Sequence, residues 1–379
     1  MKNKIISILI IAMLIVCMIP TSAFAELGYG GDWWLQMKAG IEALPSGGTY
    51  TYDFTDKFGN GNVRIRDTIV IDKPCTINII GGARLLRYDD SPGRAFVITA
   101  DNVTLNLGEV ELYAFTPPEE YGGAIYITGN KCTVSGGKFR FCNCQYGGGI
   151  CVAGNNCTIN GGYHEYSQAG YGCAISLIGD NNTVNDVQCH GTTSVYGGGA
   201  IYVEGDYCKI NRGDFRICET QGYGGALYLA GYKTEVYSDD QNRRGFYNCC
   251  HANKDGGAIY ADDDASISFC KFVSNSAGND GGSIKDQNWG GDVYIDNCIF
   301  ETGSCGGDGI WVEGFGNATI TSCTPGDEEH YYNPYSIDKS LLTGSIFSEG
   351  NMWIVGSVGG FVLGALVMLL LTKTKKKAC

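Results

Sequence analysis

Residues 121–129 read YGGAIYITG, and the phrase returns as YGGGICVAG at 146–154, YGCAISLIG at 171–179, YGGGAIYVEG at 196–205 and YGGALYLAG at 223–231. It continues, with the leading aromatic replaced, as DGGAIYADD at 255–263, DGGSIKDQN at 280–288 and CGGDGIWVEG at 305–314. The period is 25 residues, stretched once to 27 and once to 32. A fixed period in this range marks a solenoid, in which each unit is too small to bury its own apolar face and does so against its neighbours.

Three apolar columns run through the units. The first is Ile125, Ile150, Ile175, Ile201, Leu227, Ile259, Ile284 and Ile310; the second is Val134, Ile159, Val184, Ile210, Val236, Ile267, Ile295 and Ile320; the third is Phe139, His164, Cys189, Phe215, Phe246, Phe272 and Phe300. Gly-Asn and Gly-Asp turns separate the first column from the second (Gly129-Asn130, Gly154-Asn155, Gly179-Asp180, Gly205-Asp206). Short β-branched and aromatic runs between turn residues are strands, and they are too short for the helices of a helical solenoid. The expected fold is all-β: a right-handed, single-stranded parallel β-helix with three strands per coil, its hand taken from the chirality of parallel crossovers. Weaker units at Thr68–Asp72, Cys75–Gly82 and Ala95–Leu107 extend it upstream. Ten or eleven coils over 50–325 would stack to roughly 50 Å at the strand spacing.

The open ends of such a rod need covers. Trp33, Trp34, Met37, Ile41 and Leu44 fit one face of a short helix, so 26–49 is read as an N-terminal cap and 326–351, where the repeat is lost, as a C-terminal cap and spacer. Lys2, Lys4, the apolar run Ile5–Ile19 and Ala23-Phe24-Ala25 read as a signal peptide over 1–25. Met352–Leu371 is a stretch of 20 residues without a charge, long enough to span a bilayer, and the lysines of 372–379 place that tail in the cytoplasm. The expected topology is single-pass in the cell membrane, with the β-helix outside. A sortase signal is not formed, because Leu341-Leu342-Thr343-Gly344 lacks the proline.

Of 379 residues, 57 are Gly and only 8 Pro, without the G-X-Y period of collagen. The formal charge is −13; setting aside Lys2, Lys4 and the four tail lysines leaves 21 basic against 40 acidic side chains, or −19. A surface of that sign excludes nucleic acid as a partner.

Phe272-Val-Ser-Asn275 followed by DGGSI at 280–284 resembles the FxxN plus GGA(I/L/V/Y) repeats of chlamydial polymorphic membrane proteins, and the GGAI half recurs from 122 to 310. The upstream coils resemble the broad pectate-lyase-like β-helix superfamily. The resemblance implies a right-handed β-helix at a cell surface, used for adhesion or interaction. The chlamydial proteins end in an outer-membrane barrel, whereas this chain ends in a single apolar span followed by lysines.

Candidate site residues fall in five groups. The expanded unit carries Tyr237, Asp239, Asp240, Arg243, Arg244 and Tyr247, a mixture suited to sugar or a protein partner, since insertions in solenoids project on one face. Asp262, Asp263 and Asp264 could hold calcium; no other cofactor is expected. Cys132 and Cys157 occupy one column a coil apart, close enough for a disulfide; cysteines filling the core as small hydrophobes is the alternative. Gly356, Gly360 and Gly364 line one face of the span and could pair two copies as a homodimer. The coil-start tyrosines Tyr121, Tyr146, Tyr171, Tyr196 and Tyr223 should form a ladder, stacking on one another or on sugar rings. The paired-Asp, Gly-His-Gly and Arg-x-Lys signature of polygalacturonases is missing, so catalytic residues are not assigned. The function expected is adhesin-like or structural, binding glycan or protein along the lateral face. The alternative is a polysaccharide lyase or glycoside hydrolase on the same fold.

Overall fold

The computed structural model describes residues 33–323, except 56–61, 88–92, 240–244, 288–291, 302–309, 313–317 and 322. The chain winds into a right-handed parallel β-solenoid of about nine turns. Ten strands, from Ile69–Ile71 to Ile310–Val312, form one sheet, with nine steps between them. A second sheet of 19 strands carries the second and third columns, and a third of six strands closes the coil.

Within the ten-stranded sheet Ile125, Ile150, Ile175, Ile201, Leu227 and Ile259 are Cα partners in unbroken register and fully buried. In the second column, Val134, Ile159, Val184, Ile210 and Val236 stack in the same way. Parallel pairing in register puts like side chains above one another, so each row excludes water continuously along the rod. The third column holds one correction: Tyr247, not Phe246, lies over Phe215 and under Phe272. Phe246 points outward beside Arg216, whereas Tyr247 stacks at 4.9 Å on both core phenyl rings.

The coil is not the expected three strands. In the middle coils the second and third columns lie on separate short strands of one sheet, and a fourth strand follows, as in Asn143–Tyr146, Gln168–Tyr171 and Thr193–Gly197. Its inward positions carry small or weakly apolar side chains, such as Ala169, Ser194 and Ala252, which no hydrophobic column reveals.

The corners between strands use left-handed backbone. Gly122, Gly147, Gly172, Gly198, Gly224, Gly256 and Gly281 have φ between +55° and +68° at the turn into the ten-stranded sheet. At Gly224 a Cβ would lie 1.9 Å from the Leu227 carbonyl oxygen, which is why the Gly-Gly phrase marks the period. Other corners carry non-glycine residues in the same conformation, among them Lys131, Phe141, Tyr166 and Ile217.

The N-terminal end is covered by α1 (Trp33–Glu42), which buries Trp34, Met37 and Ile41. The Trp34 ring lies 5.9 Å from Phe96, and its Nε1 donates to the Asp67 carbonyl at 2.9 Å. No helix among the described residues is long and apolar enough to cross a membrane. The expected signal peptide, C-terminal cap, membrane span, cytoplasmic tail and the glycines Gly356, Gly360 and Gly364 lie outside the described residues.

Candidate functional site

The outer face of the ten-stranded sheet is a tyrosine surface. Because Ile125 and Ile127 point inward, the residue between them points away from the core, and this position carries in turn Tyr126, Cys151, Ser176, Tyr202, Tyr228, Tyr260 and Lys285, of which Tyr202 and Tyr260 are themselves buried beneath their neighbours. The coil-start tyrosines rise beside it. Tyr121, Tyr146 and Tyr171 stack at 5.2 Å, and Tyr196 continues at 5.1 Å although an extra residue shifts its register. The two rows interlock: Tyr171 lies 4.7 Å from Tyr202, and Tyr223 lies 4.7 Å from Tyr260. The ladder therefore stacks on itself, leaving Tyr196 half exposed at its centre.

Charged groups frame this surface. Arg94 donates to the Tyr121 and Gly122 carbonyls at 2.6 and 2.8 Å and lies 5.3 Å from the Tyr126 ring. Lys254 sits 4.5 Å over the Tyr223 ring. Asp262 accepts from the Tyr228 hydroxyl, and the Tyr260 hydroxyl donates to Gln287 Oε1 at 3.5 Å. Burial first, and then Asp262, push both phenols well above their ordinary range, so they remain neutral donors.

That role separates Asp262 from the two residues expected to share a calcium with it. Asp263 accepts the backbone N–H of Asp264 at 2.8 Å, and Asp264 accepts that of Asp292. The triple Asp is a turn whose carboxylates have protein partners. Among the described residues no group of three or more His, Cys, Asp or Glu is placed to hold a metal ion.

The expanded unit is divided in the same way. Asp239 is exposed and pairs with Arg212, which also bonds Asp186, and Tyr237 is half-buried on its strand. Tyr247, expected at a binding face, belongs to the core and offers no surface. Asp240, Arg243 and Arg244 lie outside the described residues.

Cys132 and Cys157 are stacked as expected, but as free thiols. Their geometry shows what a thiol does there. The Cys157 Sγ accepts from the Cys132 backbone N–H at 3.4 Å and donates to the Gly129 carbonyl at 3.3 Å. One coil on, Asn182 does the same with its amide, accepting from Cys157 N–H at 2.7 Å and donating to the Gly154 carbonyl at 2.9 Å. At the other corner Asn275, the Asn of the FxxN match, accepts from Cys250 N–H and donates to the Tyr247 carbonyl. Cysteine in this chain occupies a corner position that asparagine fills elsewhere.

A constellation spaced one coil apart escaped the sequence reading. On the outer face of the nineteen-stranded sheet Arg140 pairs with Glu111 at 3.5 Å and with Glu165 at 2.8 Å. The Tyr163 hydroxyl lies 3.2 Å from both Glu165 Oε1 and His190 Nδ1. Burial, followed by Glu165, raises the Tyr163 phenol. Two carboxylates, a cation, a phenol and an imidazole in contact are the parts of general acid–base chemistry. Their signal in the sequence is only the coil period itself, which brings residues about 25 apart together on adjacent strands.

No protein-family model, curated protein or solved structure matches this chain.

Proposed function

We propose that the chain is a membrane-anchored cell-surface β-helix protein, adhesin-like or structural, which binds glycan or protein along its lateral face. The observation that carries this reading is the double tyrosine row, a rigid aromatic surface with neutral phenol donors and one half-exposed ring at Tyr196. Aromatic faces edged by hydrogen-bonding groups suit the apolar faces and hydroxyls of sugars. The secretory start, the apolar stretch at 352–371 and the pectate-lyase-like and polymorphic-membrane-protein-like character of the repeats belong to the same reading. The second reading, a polysaccharide lyase or hydrolase, is favoured by the Glu111–Arg140–Glu165–Tyr163–His190 network.

The test is to incubate the full chain in detergent with a polysaccharide panel and to analyse the soluble products by mass spectrometry. Depletion of protein by one polymer without new oligosaccharides is the expected result, and Tyr196→Ala should weaken that binding roughly three- to tenfold. New oligosaccharides that disappear in Tyr163→Phe would replace this reading with the enzyme.

A further inference from the structure

The strand after the Gly-Asn turn repeats a second pattern that the period conceals. In six successive coils its first two outward positions are Thr49 and Thr51, Thr76 and Asn78, Thr104 and Asn106, Thr133 and Ser135, Thr158 and Asn160, Thr183 and Asn185; a third outward position holds Asp53 in the first coil and Ile80 in the second, at the edge of the pattern. All are Cα partners in register; the shift in one of these strand pairs begins only at Gly108, beyond the pattern. The intervening Ile77, Leu105, Val134, Ile159 and Val184 are buried, which fixes the Thr and Asn rows as the outer surface. None of the twelve outward positions is charged or aromatic, on a chain whose other outer rows carry ion pairs and tyrosines.

The two rows differ in their bonding. Asn106 Nδ2 donates to Asn78 Oδ1 at 2.7 Å, Asn185 to Asn160 at 2.9 Å and Asn211 to Asn185 at 3.2 Å, so the amides hold one another in a fixed orientation. The hydroxyls of Thr76, Thr104, Thr133, Thr158 and Thr183 take no partner among the described residues. Threonine is stiff at χ1, so each presents a methyl and a hydroxyl in a limited set of orientations. The result is a two-dimensional lattice of hydrogen-bonding groups, spaced about 4.8 Å along the rod and about 6.6 Å along the strand. Lys209, paired with Glu235 at 2.9 Å, ends it at the seventh coil.

We infer that this threonine–asparagine face binds the surface of crystalline ice. A regular, uncharged array with open hydroxyls offers water a repeating set of donors, acceptors and methyl groups, and its order is established before binding. Ice is a ligand whose own groups repeat in two dimensions on this scale. Soluble sugars would use only one or two coils of the array, and the face lacks the aromatic platform that the opposite reading requires. The inference stands apart from the proposed glycan surface, because it concerns a different sheet.

The experiment freezes a solution of the full chain in detergent slowly onto a cooled surface and compares protein in the ice with protein in the liquid. Enrichment in the ice and faceted crystals are expected for the wild type, and both should be lost in the double variant Thr133→Lys, Thr158→Lys. Lys209 already occupies the same row, so the fold accepts lysine there, and circular dichroism checks that it does. Tyr196→Lys should leave ice uptake unchanged while weakening any glycan binding, which separates the two surfaces. Exclusion of the wild type from ice, or uptake of the double lysine variant at the wild-type level, overturns the proposal. So does sedimentation with crystalline chitin by a wild type that ice excludes.

Discussion

At position 164 the column that holds Phe139, Phe215 and Phe272 carries an imidazole, fully buried and stacked at 4.5 Å on Phe139. Neither ring nitrogen has a hydrogen-bond partner. Burial alone pushes its pKa down to about 3, so the ring is neutral in the fold while the unfolded chain protonates near 6.5. The folded state binds fewer protons, and stability is therefore complete above pH 6.5 and falls as the pH drops toward 3, by about 1.4 kcal/mol per unit. His164→Phe should remove this acid sensitivity between pH 6.5 and 3, and should raise stability at neutral pH by about 1–3 kcal/mol by ending the unsatisfied burial. Urea titrations of both proteins at pH 7 and pH 4 check it; parallel pH profiles would show that His164 is solvated. The cysteines make a complementary point. Since Asn275 and the corner thiols bond the neighbouring coil alike, Asn275→Ala should cost about 1–3 kcal/mol, and Asn275→Cys should recover most of it, as read from denaturant midpoints.

At the scale of the strand and its corner, what was legible followed from chemistry that repeats. Apolar columns, Gly-Gly turns and the coil-start tyrosines all recur at one offset, and each is forced by burial or by positive φ. The fourth strand was not legible, because Ala169, Ser194 and Ala252 leave no column to follow. Phe246 and Tyr247 are adjacent aromatics after an expanded turn, and only register shows which one faces inward. The Glu111–Arg140–Glu165 ladder and the threonine–asparagine face were hidden because polar outward residues read as ordinary surface until adjacent strands are aligned. Corners also reveal strain that sequence does not. Ile217 is β-branched, 57% exposed, and held at φ +53°. Relief of about 1–2 kcal/mol from the left-handed conformation exceeds the backbone entropy that glycine gives up. Ile217→Gly should therefore stabilise the chain by up to about 1 kcal/mol, whereas Gly224→Ala, which meets the Leu227 carbonyl, should destabilise it by more than about 2 kcal/mol. Thermal melts of the two variants should move in opposite directions.

Across the whole molecule, every coil bonds mainly to the one before and the one after, so the rod is defined by the period and not by its length. The coil from Ile150 to Ala174 begins and ends at equivalent points of the column, because Ile175 is the register partner of Ile150. Deleting 150–174 joins Gly149 to Ile175 and restores the Tyr-Gly-Gly-Gly-Ile sequence of 146–150. The remaining coils keep their inward and outward sets, and Ser135 becomes the neighbour of Asn185 in the outward row. Deleting one residue more, 150–175, joins Gly149 to Ser176 and leaves the corner one residue short, so that Ser176 and not an isoleucine meets Ile125 and the strand slips by one position. The 25-residue deletion should preserve the β circular dichroism spectrum and a cooperative melt, while the 26-residue deletion should lose the cooperative transition or aggregate. If both deletions melted alike, the stacking would tolerate misregister, and the alignment on which the tyrosine face and the threonine–asparagine lattice depend would not be enforced by the fold.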